Sequence, residues 1–125
     1  MFLPFFPLKL VAFPDEELNL HIFEPRYREL LADMESEDKT MGICTYLDSL
    51  AGYGTEMKLE KVLKRYPDGR LDIKTRGLRI FRISTFVNPV AGKLYSGGEV
   101  EFLENDSNIE LQLQHKYIFY LKEVL

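Results

Sequence analysis

The stretch LHIFEPRYRELL, residues 20–31, changes its hydrophobic period at a proline. Leu20, Ile22 and Phe23 read as the end of an extended, buried segment. Tyr27, Leu30, Leu31 and Met34 then recur at i, i+3, i+4 and i+7, which is one face of an α-helix. Pro25 falls in the first turn, where its missing N–H would have had no intrahelical partner. Glu24 and Glu29 put negative charge near the positive end of the helix dipole. The stretch predicts a strand or loop running into a helix over residues 25–34.

Toward the N-terminus, residues 5–13 predict a strand with prolines at its start, suited to an edge or a first strand. Pro14-Asp15-Glu16-Glu17 is a turn, and residues 18–23 are a short extended piece. Toward the C-terminus, residues 35–39 form a polar link. Residues 41–47 predict a strand rich in β-formers, and residues 50–54, with two glycines, a loop. Residues 56–66 and 71–75 predict the arms of a hairpin. Its turn is Pro67-Asp68-Gly69, in which the proline fixes φ and Gly69 takes a positive φ. Gly77 is expected to break the chain before a strand over 78–83. That strand would carry Leu78, Ile80 and Arg82 on one side and Arg79, Phe81 and Ile83 on the other. Residues 88–92 predict a turn, and 93–103 a last strand with a bend or bulge at Gly97-Gly98.

The end of the chain has a different period. Leu113, Tyr117, Tyr120, Leu121 and Val124 form a helical stripe, and Asp106, Ser107 or Asn108 could cap its start. The stripe reaches Leu125 without a clear stop signal, so the sequence is expected to be a piece of a longer protein. Residues 1–104 then form a β domain, and 105–125 begin a C-terminal helical region. The fold class predicted is mainly β (α+β), a small curved or partly closed β-fold with one packed helix.

A chain of 125 residues with 46% hydrophobic content supports one domain with a real core. A formal charge of -4 argues against a general binder of phosphate backbones. Cys44 is the single cysteine, so no internal disulfide forms, and a reducing compartment fits. The opening MFLPFFPLKLVAFP is apolar, but no basic residue precedes the run, and Pro4 and Pro7 interrupt it. A signal peptide and a membrane span are both rejected, and a cytoplasmic location is expected.

No set of residues announces catalysis. His21 and His115 have no Cys or His nearby at ligand spacing, so no metal is expected. Cys44 sits in an apolar β-run and reads as a small buried hydrophobe. Ser49, Ser84 and Ser96 lack a nucleophile-elbow context. No phosphate-binding loop is present, and Gly52-Tyr53-Gly54-Thr55 is only a small loop. Neither a catalytic residue nor a cofactor is expected. What remains is recognition through an apolar or aromatic surface with a few charges.

The order Leu3-Pro4-Phe5-Phe6-Pro7-Leu8, then Phe13-Pro14, then Leu20-His21-Ile22-Phe23-Glu24-Pro25-Arg26-Tyr27-Arg28-Glu29-Leu30 resembles the N-terminal domain of the Lon ATP-dependent proteases. Met41-Gly42-Ile43, Gly54-Thr55, Asp68-Gly69-Arg70 and the strand from Gly77 to Ile83 continue the resemblance, which covers about residues 3–104. The resemblance implies a PUA-like β-fold with one packed helix, followed by a helical bundle. It also implies a non-catalytic domain that binds polypeptide substrates or partner proteins and helps an oligomer assemble. The ATPase and Ser–Lys protease modules of that family are absent from this sequence.

Within the opening stretch, Glu24, Arg26, Tyr27 and Arg28 are the candidate polypeptide-binding residues. Pro25, Gly69 and Gly77 are expected to be structural. The same four residues have a plain structural reading: Tyr27 packs against the sheet, and Glu24 and Arg26 pair with backbone groups, or Glu24 with Arg79 or Arg82, to fix the strand-to-helix turn. The partner expected is an unfolded or partly unfolded polypeptide or a partner protein, with homo-oligomers possible. A catalytic domain such as a free-standing peptidase is disfavoured because no nucleophile–base set is visible, and two further alternatives stand beside this reading. One is an adaptor or scaffold with no substrate binding of its own. The other is a PUA-like RNA-binding module, for which Lys58, Lys61, Lys64, Arg65, Arg70, Lys74, Arg76, Arg79 and Arg82 supply a local basic cluster.

Overall fold

A computed structural model of the chain describes residues 1–8, 12–46 and 50–103. The C-terminal helical stripe expected from residue 113 onward lies outside the described residues. The elements are β1 (Phe2–Leu8), β2 (Glu17–Ile22), α1 (Pro25–Glu37), β3 (Met41–Tyr46), β4 (Leu50–Arg65), β5 (Leu71–Ile83) and β6 (Gly97–Phe102). They form one mainly β sheet in the order β2-β5-β4-β3-β1-β6. The sheet curls back on itself, because β6 pairs with β1 over residues 97–99 and with β5 over residues 100–102. β1 and β3 run parallel, with β2 and α1 lying in the connection between them.

β1 explains how this short sheet holds two cores. Its sequence FLPFFPL is apolar throughout, the pattern of a strand covered on both faces. Leu3 and Phe5 face the inside of the curled sheet, where they meet Cys44, Phe81 and Val100. Phe6 faces the other way, into a larger core with Ile22, Leu30, Leu31, Met34, Met41, Ile43, Met57 and Ile73. β3 splits in the same way, with Met41 and Ile43 toward the helix and Cys44 inside. Burial raises the Cys44 thiol to about 12, which keeps it a neutral hydrophobe.

α1 carries the expected stripe, with Leu30, Leu31 and Met34 buried and Tyr27 packed against the same core. It runs one turn past Met34, to Glu37, and ends at Asp38 in the left-handed conformation. The Lys39 N–H caps the Met34 carbonyl at 3.1 Å. Of the two glutamates assigned to the dipole, Glu24 stands at the N-cap and Glu29 also holds a loop. Glu24 makes no side-chain cap, and Glu29 accepts the Leu94 N–H at 2.7 Å.

Several sequence expectations change, mostly at glycines. β1 covers Phe2–Leu8 rather than residues 5–13, and Ala12 and Phe13 follow without strand structure. Residues 50–54 are part of β4, not a loop. Gly54 serves packing there, since a Cβ on it would lie 2.5 Å from the Phe81 ring. Gly77 does not break the chain, because β5 runs through it. The Phe13 carbonyl lies where a Gly77 Cβ would be, at 2.1 Å. The expected two-sided strand over 78–83 is offset by a bulge: Met57 pairs with Gly77 and Glu56 with Arg79, leaving Leu78 unpaired. Leu78 and Arg79 are exposed as a result, while Ile80 and Phe81 are both buried. The last strand starts at Gly97 instead of residue 93, and Gly97-Gly98 pair regularly with Pro4 and Leu3. The hairpin turn is as expected, with Gly69 at φ +94°.

Residues 88–96 form a loop that contains a cis Asn88–Pro89 bond. Its Tyr95 enters the helix-side core and donates its hydroxyl to Asp33 at 2.6 Å. The Asp33 carboxyl is held below the usual range, first by Tyr95 and then by Lys93.

Two measurements check this account. Gly77→Ala is expected to cost about 3 kcal/mol, because backbone must move, whereas Gly52→Ala, with open space around it, should stay within about 0.5 kcal/mol of wild type. Denaturant unfolding of both variants decides; equal stabilities would refute the steric assignment. The second concerns Asp33. Its folded pKa lies below the unfolded value of about 3.9, so its stabilisation is full above that pH and is lost as pH falls through the folded value. Tyr95→Phe should cost about 1 kcal/mol at neutral pH. It should also make the loss of stability below about pH 4 shallower than in wild type, as read by urea unfolding across pH.

Candidate functional site

The turn from β2 into α1 positions the candidate residues. Glu24 is extended (φ -74°, ψ 139°), and Pro25 opens the helix. The Tyr27 and Arg28 N–H groups both donate to the Glu24 carbonyl at 3.0 Å. Pro25 lacks an N–H at a helix position that needs none.

From this first turn the side chains diverge. The Tyr27 ring stacks on Phe6 with centroids 4.1 Å apart, and burial raises its hydroxyl pKa. Arg26 reaches over the outer face of the Tyr27 ring, 5.8 Å from its centroid, and pairs with Glu24 at 3.7 Å. Glu24 thus pairs within its own turn, not with Arg79 or Arg82. Those two pair instead with Glu56 at 3.0 Å and Glu101 at 2.6 Å.

Arg28 turns away from its three neighbours. It donates to the Asp68 carbonyl at 2.9 Å and lies against Gly69, where a Cβ would come within 3.2 Å of the guanidinium. Gly69 is needed twice, for its positive φ and for the space it leaves to Arg28. Arg28 therefore braces the tip of the β4–β5 hairpin against α1.

Glu24, Arg26 and Tyr27 line a cleft of about 390 Å³ together with Pro7, Phe86, Asn88 and Ser96. Pro7 comes from β1, and the last three from the segment between β5 and β6. The Phe86 ring stacks parallel to Phe5 at 6.2 Å, yet 46% of the residue stays exposed. Val87, also exposed, follows it and exchanges two backbone hydrogen bonds with Gly97, at 2.8 and 2.9 Å. The cleft has apolar and aromatic surface from Pro7, Tyr27 and Phe86, a cation and an anion at one rim, and neutral hydrogen-bonding groups at the other. Such a mixture suits a polypeptide, which offers side chains to an apolar wall and amides to polar groups.

Sequence reasoning reached one wall of this cleft and missed the other. Asn88 was read only as part of a turn, and Ser96 only as a serine without a nucleophile motif. Phe86 falls between the predicted strand over 78–83 and the predicted turn over 88–92. The adjacent apolar residues Phe86 and Val87, just before a turn proline, were the one available signal.

Among the described residues, other candidate chemistry is accounted for by the fold; Ser49 and His115 lie outside them. His21 Nδ1 lies 2.6 Å from Asp72, its partner across the β2–β5 ladder, and Tyr66 donates to the other Asp72 oxygen at 2.6 Å. No group of three or more metal-ligating side chains occurs among the described residues. Most of the basic cluster is paired: Arg65 with Glu35, Arg70 with Asp68, Lys74 with Glu17, Arg76 with Glu17 and Glu60, Arg79 with Glu56, and Arg82 with Glu101. These carboxylates lower the free positive charge that a phosphate backbone would need. No helix among the described residues is long and apolar enough to cross a membrane.

The geometry can be set beside known proteins. A Lon N-terminal domain protein from Xanthomonas campestris superposes with a TM-score of 0.74 at 36% identity. The match covers 86% of this chain and 62% of that one, so the chain spans less than two thirds of its relative. The N-terminal domain of a Mycobacterium avium complex Lon protease shares the fold at a TM-score of 0.66 and 17% identity. That match covers 98% of this chain and 75% of the other. The family model of the ATP-dependent protease La (LON) substrate-binding domain matches residues 2–125, and the chain belongs to that family.

Proposed function

We propose that this domain is a non-catalytic recognition module that binds unfolded or partly unfolded polypeptide segments in the cleft between the start of α1 and the segment before β6. The observation that carries this reading is the cleft itself, where exposed Phe86 and half-buried Tyr27 stand beside Glu24, Arg26, Asn88 and Ser96. Membership of a family described as substrate-binding supports it. Glu24, Arg26 and Tyr27 contact the bound chain, while Arg28 acts at one remove by bracing the hairpin. Each site binds weakly, and strength comes from several copies in an assembly or from an attached partner. The Ser–Lys protease and ATPase chemistry of Lon lies in modules that this sequence does not contain. A cytoplasmic location is proposed with this role.

Fluorescence anisotropy of a labelled, permanently unfolded polypeptide, titrated with the domain at low and moderate salt, tests the reading. Saturable binding that survives moderate salt is expected. Phe86→Ala and Arg26→Ala should each weaken it about fivefold to tenfold, an effect typical of exposed interface anchors. Arg28→Ala should leave the affinity within about twofold, because its loss is felt at the hairpin tip. A labelled RNA that binds more tightly than the polypeptide, with a steep salt dependence, would replace this reading with nucleic-acid binding.

A further inference from the structure

The outer wall of the cleft belongs to a loop whose attachment to α1 is made by side chains. The loop is closed at its base by the paired Val87–Gly97 backbone bonds. It is folded on itself by the Val90 N–H to Tyr95 carbonyl and Lys93 N–H to Val90 carbonyl bonds, both 2.9 Å. Across to the helix, Glu29 Oε1 accepts the Leu94 N–H at 2.7 Å, and Asp33 Oδ2 accepts the Tyr95 hydroxyl at 2.6 Å. Lys93 Nζ lies 2.9 Å from the same Asp33 oxygen. Glu29 and Asp33 are four residues apart and so share one helix face.

The same helix carries the opposite wall on its first turn, through Arg26 and Tyr27. Both walls therefore take their position from α1. The distance between them depends on whether the loop stays fastened at Glu29 and Asp33. The Tyr95–Asp33 bond also satisfies the hydroxyl of a buried residue, but the Glu29 bond has no such duty. The Glu29–Leu94 bond is exposed, and water could take either partner. A phenylalanine in place of Tyr95 would fill the same core volume. What the two carboxylates add is a fixed docking geometry, through charge-assisted bonds that are shorter and stronger than neutral ones.

We propose that Glu29 and Asp33, holding Leu94, Tyr95 and Lys93, form a strap that sets the width of the polypeptide cleft. They are positioning residues, which do not touch the bound chain. This inference rests on the functional reading above. A wall held in place loses less conformational entropy on binding than a loose one, so cutting the strap lowers affinity without removing any contact.

The test uses the whole 125-residue chain with Glu29→Ala, Glu29→Gln and Tyr95→Phe. Arg65→Ala is the control, since it cuts the Arg65–Glu35 pair at the other end of α1. Amide hydrogen exchange of residues 88–95 reports the wall, and anisotropy of the labelled unfolded polypeptide reports binding. Glu29→Ala and Tyr95→Phe are expected to speed exchange across the loop and weaken binding about tenfold. Glu29→Gln keeps an acceptor oxygen and should recover most of the affinity lost in Glu29→Ala. Arg65→Ala should change neither readout. Faster exchange with unchanged affinity, or a Glu29→Gln variant no better than Glu29→Ala, would overturn the strap alone. A wild-type domain that does not bind the polypeptide would overturn the functional reading and this inference with it.

Discussion

The Phe81 ring sits where two strands have no side chains. Gly42 on β3 and Gly54 on β4 both face it, and a Cβ on either would lie within 2.6 Å of the ring. Phe81 stacks on Phe5 of β1 with centroids 6.0 Å apart, and Phe102 of β6 meets it edge-on at 6.4 Å. One aromatic ring on β5 therefore meets four of the five other strands of the sheet, β1, β3, β4 and β6. The curl is possible because the backbones of β3 and β4 can approach the ring closely, and filling that space with a methyl would force them apart. The register that pairs Phe81 with Gly54 and Phe102 also brings β5 to β6. Sheet closure and core packing are one constraint here.

The second core follows from the first. With Leu3, Phe5 and Cys44 turned inward, the alternate residues Phe6, Met41 and Ile43 face outward and need a cover. α1 supplies it, and β2 extends the sheet along β5 so that Ile22 and Leu20 join the same layer. Phe6 then lies under Tyr27 at the start of the helix. The cleft opens at this junction, where the end of β1, the helix N-terminus and the segment before β6 converge. A site built at the boundary of two cores has rigid walls on one side and a loop on the other, a common arrangement for binding surfaces.

Charge on the surface is largely used within the surface. The β4–β5 hairpin holds many cations, yet most face a carboxylate, and Glu56 pairs with Arg79 while almost fully buried. The bulges in the hairpin that leave Leu63 and Leu78 exposed also twist it away from a flat edge. The apolar exposure near the cleft differs, because Phe86 and Val87 lie beside groups able to bind amides. The proposed role follows from that local contrast and not from net charge.

Local periodicity settled much of the architecture. The change of period at Pro25 marked the helix and its buried stripe, and the Pro67-Asp68-Gly69 turn marked the hairpin, whereas the apolar N-terminal run marked only an edge or first strand, and its burial on both faces came from the tertiary structure. The resemblance to Lon N-terminal domains, read on the IFEPRYREL block, agrees with the family found. Tertiary structure decided what the glycines were for. Gly54 and Gly77 look like chain breakers because glycine often is one, but here each makes room for a group distant in sequence, the Phe81 ring and the Phe13 carbonyl. Tertiary structure also sorted the candidate residues. Arg26, Tyr27 and Arg28 are adjacent in the chain, yet a helix advances about 100° per residue, so they cannot share a direction. Two face a cleft, and the third reaches a turn 40 positions away. The other wall of that cleft was invisible for the same reason: Pro7, Phe86 and Ser96 meet only because the sheet curls, and spacing along a chain carries no record of that.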